Sequence, residues 1–229
     1  MANDRTRMLS EVRRAILDGD WQPGDRLQPM QLAERFATST TVVREALALL
    51  VGDGLVLARP NRGFFVPELR LRDLEDITEL RCVSEALAAT LATERGDIAW
   101  ESDLTAAHHR LSKTPRRLSD DPARINPEWS SAHREFHRVL ISACGSDAIL
   151  RLAANLADST ELYRRWAAPS TAAVSRDVEA EHEALLRAAL ARDGQLLGAL
   201  LRSHYESTVR VVLEAGLVDG AGGAAGRVE

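Results

Sequence analysis

From Asp73 onward the chain is a series of stretches whose apolar residues recur at helical spacing, with no strand pattern between them. Residues that commonly begin or stop helices separate these stretches, namely Asp73, Gly96, Asn126, Pro127, Gly145, Pro169 and Gly194. The pattern predicts six helices, at about residues 74–95, 99–112, 127–144, 147–167, 175–192 and 195–215. We therefore expect this part of the chain to form an all-helical bundle.

The first 67 residues have shorter periodic segments and predict a different fold. Apolar residues at helical spacing predict three short helices, and Thr38 or Ser39 is the expected N-cap of the third. Two β runs flank the turn at residues 60–63 and predict a hairpin. Three helices followed by a hairpin are the elements of a winged helix-turn-helix.

The expected fold class is mainly α, with two domains. The last residues are rich in Gly and Ala and offer little that could pack. We expect a winged helix-turn-helix at residues 1–67, a linker at 68–73, an all-helical bundle at 74–216 and a disordered tail at 217–229.

Charge and cysteine content limit the class of protein. The net charge is −5, but residues 1–70 hold ten arginines against nine acidic residues, so this part can present basic side chains to phosphates. No apolar run approaches the roughly 20 residues that cross a bilayer, and the N-terminus lacks the apolar core of a signal peptide. Cys82 and Cys144 lack metal-binding spacing and predict buried thiols in a reducing compartment. We expect a cytoplasmic protein without membrane contact.

The third helix and the wing carry the candidate DNA-binding residues. In a helix-turn-helix, the first residues of the recognition helix reach base edges. Thr40 and Thr41 can contact base edges or thymine methyls, and Arg44 a guanine or a phosphate. Arg59 and Arg62 of the wing can reach the backbone or the minor groove. Two alternatives stay open: a helix face that is only solvated, and a winged fold that binds protein.

This N-terminal sequence resembles the DNA-binding domain of the GntR family of bacterial transcription regulators. The landmarks are "LAERF", "VREAL", "DGL" and the wing "RGFFV", within a run that covers nearly the whole domain. Three positions depart from the family pattern, which usually has arginine at Thr40, proline at Val42 and often a basic or polar residue at Met30. Two customary base or phosphate contacts of the family are therefore missing, and its usual operator motif is not assumed.

Four of the six histidines lie on predicted inner faces of helices. His133 and His137 are four residues apart on one helix, and His182 and His204 lie beside the apolar stripes of two later helices. A lone inward histidine is most often a hydrogen-bonded core residue. Four in one core are costly without partners, and a divalent ion can satisfy them together. Imidazole ligands favour Zn²⁺ or Ni²⁺ over Mg²⁺ or Ca²⁺.

The H-x-x-x-H spacing also occurs in zinc proteases. Their general base is a glutamate directly after the first histidine, whereas the glutamate of "HREFH" is Glu135. No other pair of nucleophile and base is evident in the sequence. We expect no enzymatic activity.

The C-terminal sequence resembles the FCD domain, the helical sensor of the FadR-like branch of the GntR family. The landmarks are "ELRCVSEALAATLA", "GSDAIL" and "EHEALLRAALARDGQLLGALLRSH". Such domains commonly hold a metal through one Asp and three His, and the resemblance implies His137, His182 and His204 as ligands. His133 stands at the aspartate position. Either it coordinates, which leaves the full charge of the metal for an anionic ligand, or it does not coordinate.

Arg81 is the candidate effector-binding residue. It lies beside a stripe predicted to face inward, so its guanidinium can bind a carboxylate. The stripe consists of Ile77, Leu80, Leu87 and Leu91. The resemblance to FCD regulators also implies a ligand-contacting arginine here. The alternative is a surface ion pair with Glu85, one turn later.

These predictions describe a homodimeric, ligand-responsive repressor. It is expected to bind an inverted-repeat operator in double-stranded DNA and to sense a small carboxylate at or beside a metal ion. Two alternatives stay open: a metal-dependent enzyme with an appended helix-turn-helix, and a constitutive repressor with a vestigial sensor.

Overall fold

The computed structural model describes residues 2–216, with side chains described from Asp4 onward. The predicted disordered tail, residues 217–229, lies outside the described residues. The chain divides into two compact units that meet between Leu69 and Arg70, here called the N-terminal unit and the helical unit. The predicted fold class, mainly α with an N-terminal winged helix-turn-helix, is confirmed.

The N-terminal unit consists of three helices and three short strands. They are α1 (Ala2–Leu17), β1 (Arg26–Leu27), α2 (Pro29–Arg35), α3 (Thr40–Gly52), β2 (Leu57–Arg59) and β3 (Gly63–Phe65). Met8, Val12 and Leu47 are fully buried. Ser39 begins α3, because its side-chain oxygen accepts a hydrogen bond from the backbone N–H of Val42 at 3.3 Å.

The sheet has one strand more than the sequence predicts. Strands β2 and β3 form the expected hairpin, and β1 pairs with the other edge of β3, which gives the antiparallel order β1-β3-β2. Strand β1 has only two residues, which is too short to show alternation in a sequence. Asn61 and Gly63 have φ of 57° and 99°, a region that these residue types tolerate, and they set the turn of the wing.

The described part of the helical unit contains seven helices. They are α4 (Leu71–Arg95), α5 (Ile98–Lys113), α6 (Pro127–Ser142), α7 (Asp147–Ala167), α8 (Thr171–Ser175), α9 (Val178–Leu190) and α10 (Gly194–Glu214). The six predicted helices are present, with ends that differ by no more than three residues. The short α8 was not predicted. It ends before Asp177, whose side chain accepts from the N–H of Ala180 and begins α9.

The prediction for the buried face of α4 was wrong. Leu80 and Leu87 are each 52% exposed and Val83 is 61% exposed, so these side chains form an outward apolar stripe. The buried face consists instead of Leu74, Thr78, Arg81, Cys82, Glu85, Ala88, Ala89, Ala92 and Thr93. Small side chains let another helix approach closely, so this face of α4 packs against a neighbour while its leucines lie on the outside.

Helix α10 is the close neighbour of α4. A Cβ added at Gly198 would lie 3.3 Å from the Cβ of Ala86, and one added at Gly194 would lie 3.0 Å from the Cα of Thr90. The two helices therefore pack nearly backbone to backbone at these glycines. No described helix is long and apolar enough to cross a membrane. Both cysteines are free and buried.

Helix α7 holds the residue that precedes α4. The hydroxyl of Tyr163 accepts a hydrogen bond from the backbone N–H of Arg70 at 3.2 Å and donates one to the carbonyl of the same residue at 3.1 Å. Since Leu69 ends the N-terminal unit, this contact lies at the first residue of the helical unit.

Candidate functional site: a histidine cluster and a DNA-binding surface

Three helices bring four histidines together inside the helical unit. Helix α6 supplies His133 and His137, which are one turn apart, α9 supplies His182 and α10 supplies His204. Each offers a ring nitrogen, and these four atoms lie within 4.8 Å of one another. All four side chains are buried. The inward faces predicted for these helices are thus observed, and the histidines form one cluster.

The cluster is electrically neutral at physiological pH. Burial lowers the pKa of His133, His137 and His182 well below the ordinary value of 6.5, and neighbouring histidines and arginines lower it further. Burial lowers the pKa of His204 to about 4, although its hydrogen bond to Glu181 opposes the shift. Neutral imidazoles keep a lone pair, which metal coordination requires.

Glu181 determines which nitrogen of His204 is free. Its Oε2 lies 2.6 Å from Nδ1 of His204. Burial alone would raise the pKa of Glu181, but hydrogen bonds with His204 and Arg176 lower it to about 2, so the carboxylate is charged. A neutral His204 therefore donates its Nδ1 proton to Glu181 and keeps the lone pair on Nε2. A carboxylate behind a ligand histidine is a common arrangement in metal sites.

Two other histidines have ring nitrogens without a hydrogen-bond partner. Neither nitrogen of His137 has one, and neither does Nε2 of His182. Buried polar atoms are normally paired, and an unpaired one costs about 1–3 kcal/mol. These two residues therefore do not fit the alternative that an inward histidine is a hydrogen-bonded residue of the core. The donor set and its unpaired nitrogens fit a divalent transition metal.

His133 differs from the other three because a guanidinium lies against it. Nη1 of Arg164 is 3.0 Å from Nδ1 and 3.2 Å from Nε2 of His133. Arg164 is also paired with Glu161, one turn earlier on α7. Trp129 also stacks on His133, with ring centroids 4.7 Å apart and planes inclined by 24°. No pattern in the sequence indicates a role for Arg164, because its contact with His133 depends on how α7 lies against α6.

Arg81 is buried and already paired. Its Nε lies 2.6 Å from Oε1 of Glu85, and its guanidinium carbon lies 3.9 Å from the centre of the Tyr205 ring. Burial alone would lower the pKa of Arg81, but Glu85 and Tyr205 raise it above its ordinary value. Arg81 thus faces inward, as one interpretation expected, and also pairs with Glu85, as the other expected, but the pair is not on the surface.

A cavity of about 340 Å³ reaches the cluster from the side of α9. His182 and Trp129 lie in its wall. Three carboxylates also line it, those of Asp177, Glu179 and Glu183. Their negative charge favours cations over carboxylates at this opening.

Most of the candidate DNA-binding residues lie on the surface of the N-terminal unit. Thr40 and Thr41 occupy the first turn of α3 and are exposed, as is Arg44. Arg62 is exposed in the turn of the wing. Arg59 is partly covered: its Nη2 donates to Oε1 of Glu68 at 2.8 Å, and its guanidinium lies 4.8 Å from the centre of the Phe65 ring.

Comparisons with known proteins agree with this architecture. A model of the bacterial regulatory proteins of the gntR family matches residues 6–66, and a model of the FCD domain matches residues 76–207. The HTH-type transcriptional regulator BphR of Paraburkholderia xenovorans is 38% identical over 210 residues, which cover 92% of this chain and 85% of that protein. The HTH-type transcriptional repressor GlaR of Escherichia coli is 32% identical over 203 residues, which cover 87% and 91%.

Solved structures share the fold. The structure of Escherichia coli McbR/YncC matches with a TM-score of 0.78 at 21% identity and covers 93% of this chain and 99% of that one. A GntR transcriptional regulator from Rhodococcus sp. RHA1 matches with a TM-score of 0.73 at 24% identity and covers 91% and 97%. The chain therefore belongs to the GntR family of bacterial regulatory proteins, as a DNA-binding transcriptional regulator with a GntR helix-turn-helix domain and an FCD domain.

Proposed function

We propose that this protein is a homodimeric repressor in the cytoplasm whose operator affinity changes when a small carboxylate binds beside a metal ion. The observation that carries the proposal is the cluster of four neutral histidines, in which His137 has no partner on either nitrogen. His137, His182 and His204 would hold the ion, with His133 as a fourth candidate. Zn²⁺ or Ni²⁺ suits this ligand set best. When bound, the ion supplies positive charge and coordination positions for a carboxylate.

The charged side chains packed around the cluster balance one another, so a bound dication would leave positive charge for an anionic effector, in contrast to the carboxylates that line the opening beside α9. Three arginine–glutamate pairs lie near the histidines: Arg81–Glu85, Arg164–Glu161 and Arg176–Glu181. Each pair is neutral as a unit, and so are the imidazoles. A dication therefore adds about two positive charges that a carboxylate can balance. The effector must bind the DNA-competent and incompetent states with different affinity, since equal affinity shifts nothing.

Operator recognition is assigned to the exposed residues of α3 and the wing. In this proposal Thr40, Thr41 and Arg44 contact bases, and Arg62 and the partly covered Arg59 contact the backbone or the minor groove. A dimer of such units binds an inverted repeat. The proposal that this protein represses transcription is supported by the name of the relative GlaR, a transcriptional repressor.

Elemental analysis of protein purified without a chelator or metal-affinity tag tests the metal site. We expect about one Zn²⁺ or Ni²⁺ per chain, and nearly none in the variant with His137, His182 and His204 all changed to Ala. The exposed His109, changed to Ala, is the matched control. A metal-free wild type that gains no stability from added Zn²⁺ or Ni²⁺ would support the constitutive repressor. Turnover of an organic acid by the metal-loaded protein would support the enzyme.

Binding to a DNA site selected from a random library tests operator recognition. Arg44→Ala is expected to weaken the selected site by about ten-fold or more and to reduce the salt dependence. Arg210→Ala, an exposed arginine of the helical unit, should leave the affinity unchanged. If Arg44→Ala binds the selected site with unaltered affinity, Arg44 does not contribute to operator recognition.

A further inference from the structure

The cavity beside α9 connects the surface of the helical unit to the histidine cluster. His182 lies in its wall, although this side chain is only 3% exposed and its Nε2 has no hydrogen-bond partner. Two other cavities in the described part of the helical unit, of about 530 and 310 Å³, have no histidine of the cluster in their walls. The cavity beside α9 therefore differs from these two in giving access to a member of the cluster.

The size of this cavity suits a hydrated metal ion. Six water molecules occupy about 180 Å³ at roughly 30 Å³ each. The cavity has a volume of about 340 Å³, so an ion fits in it together with its first shell of water. An ion that keeps this shell avoids the cost of placing a bare charge against apolar side chains. It can then exchange water for imidazole where the cavity meets His182.

The charge of the wall also suits a cation. Asp177, Glu179 and Glu183 contribute carboxylates, and there is no lysine or arginine among the described residues that line the cavity. Nε2 of His108 lies 3.6 Å from Oε2 of Glu183, and burial lowers the pKa of His108, so this imidazole is neutral at physiological pH. Arg187 lies outside the wall, with its Nε 3.8 Å from Oε1 of Glu183. A cleft lined by one sign of charge raises the local concentration of ions of the opposite sign.

We propose that divalent transition metal ions enter and leave the histidine cluster through the cavity beside α9, and that His182 is the first ligand they meet. The inference rests on the proposed metal site and concerns the path to it. The carboxylates of the wall collect the hydrated ion at the opening. They act on the rate of metal binding, whereas the histidines hold the ion.

The rates of Zn²⁺ uptake by the metal-free full chain and of Zn²⁺ release to an excess of chelator test this path. Ser112 is exposed on α5 and lies in the wall of the cavity, so Ser112→Trp narrows the passage without touching the cluster. We expect both rates to fall by about ten-fold or more, because the ion passes only when the indole moves aside. His109→Trp is the matched control, since His109 is exposed on the same helix but lines the cavity of about 530 Å³.

The comparison of the two rates separates a blocked path from a damaged site. Entry and exit cross the same barrier, so blocking the path slows both by one factor and leaves the dissociation constant unchanged. An uptake rate equal to that of the wild type in Ser112→Trp, or equal slowing in His109→Trp, would overturn the proposal and leave the metal site in place. If the wild type takes up no Zn²⁺, the metal site and the path fail together.

A second variant tests the path without adding bulk. Glu179 is exposed and forms no ion pair among the described residues, so Glu179→Gln removes one charge of the wall and no structural contact of this kind. Zn²⁺ uptake should slow by about three-fold at low salt. The difference from the wild type should vanish near 1 M salt, where the screening length is about 3 Å. Glu128→Gln, an exposed residue in the wall of the cavity of about 530 Å³, is the control. Equal slowing by both variants would show that the net charge of the protein, and not this opening, sets the rate.

Discussion

His204 and Glu181 form the part of the cluster whose protonation is best defined. The pKa of His204 is about 4 in the folded chain, against an ordinary value of 6.5. Between these values the folded state binds fewer protons than the unfolded state, so its stability falls as the pH is lowered. The three other histidines of the cluster shift in the same direction.

We therefore expect the metal-free protein to lose stability as the pH falls from about 6.5 to about 4. His204 alone should account for a loss on the order of 3 kcal/mol near pH 4. Urea denaturation at several pH values, in the presence of a chelator, measures the effect. His204→Gln should flatten the profile, whereas the exposed His109→Gln should not. Equal unfolding free energies at pH 7 and pH 5 would contradict the inference that the buried histidines are neutral in the folded protein.

Arg81 and Glu85 give a second prediction for single residues. Both side chains are less than 5% exposed, so Arg81→Ala leaves a buried carboxylate without its countercharge, with the Tyr205 hydroxyl as a remaining hydrogen-bond donor. The expected loss is about 3–5 kcal/mol in denaturant unfolding. Arg81→Met combined with Glu85→Gln should recover most of this loss, because no charge is left unpaired. The double variant should also bind operator normally but respond weakly to small carboxylates. A stable Arg81→Ala protein would show that the buried Glu85 does not need the guanidinium as its countercharge.

At the scale of elements, the sequence predicts faces well where large apolar residues mark them. The histidines of α6, α9 and α10 share faces with such residues, and their convergence was predicted correctly. Helix α4 was misjudged, because Leu80 and Leu87 face outward while Ala88 and Ala89 face inward. Hydropathy cannot foresee that a buried ion pair and small residues form the contact. Arg164 and Arg176 were missed for a related reason, since the contact of Arg164 with His133 and that of Arg176 with Glu181 each join different elements.

The contact between α4 and α10 gives a prediction at this scale. Gly198 faces Ala86 so closely that a Cβ would lie 3.3 Å away, and a larger side chain cannot fit without separating the helices. Gly198→Leu should destabilise the helical unit by about 1–3 kcal/mol. Ala199→Leu, on the exposed side of α10, is the matched control. Similar thermal midpoints for the two variants would show that α10 can shift without cost.

At the scale of the whole molecule, the outward stripe of α4 needs an explanation. Leu80, Val83 and Leu87 repeat at positions i, i+3 and i+7 and are all more than half exposed. Contiguous exposed apolar patches often mark interaction surfaces. This supports the proposed homodimer, with α4 in or near its interface, because a second copy presents the same stripe.

We expect Val83→Glu to weaken dimerisation by at least about ten-fold, because each copy would carry a charge into the apolar contact. Sedimentation or light scattering over a range of concentrations measures the change. Glu94→Gln, an exposed residue near the end of α4, serves as the control. An unchanged dimer would place the interface elsewhere and leave the α4 stripe without a partner.

The two hydrogen bonds of Tyr163 limit how far the start of α4 can tilt while it stays attached to α7. At 1.5 Å per residue, Leu71 lies about 15 Å from Arg81, so a tilt of about 5° about the buried pair moves it by about 1.3 Å. The bonds to Arg70 are 3.1 and 3.2 Å long and fail beyond about 3.5 Å, which leaves slack for about 1–2°. Tilts within that range would keep both hydrogen bonds, and larger ones would break them and detach Arg70, the first residue after the N-terminal unit, from α7.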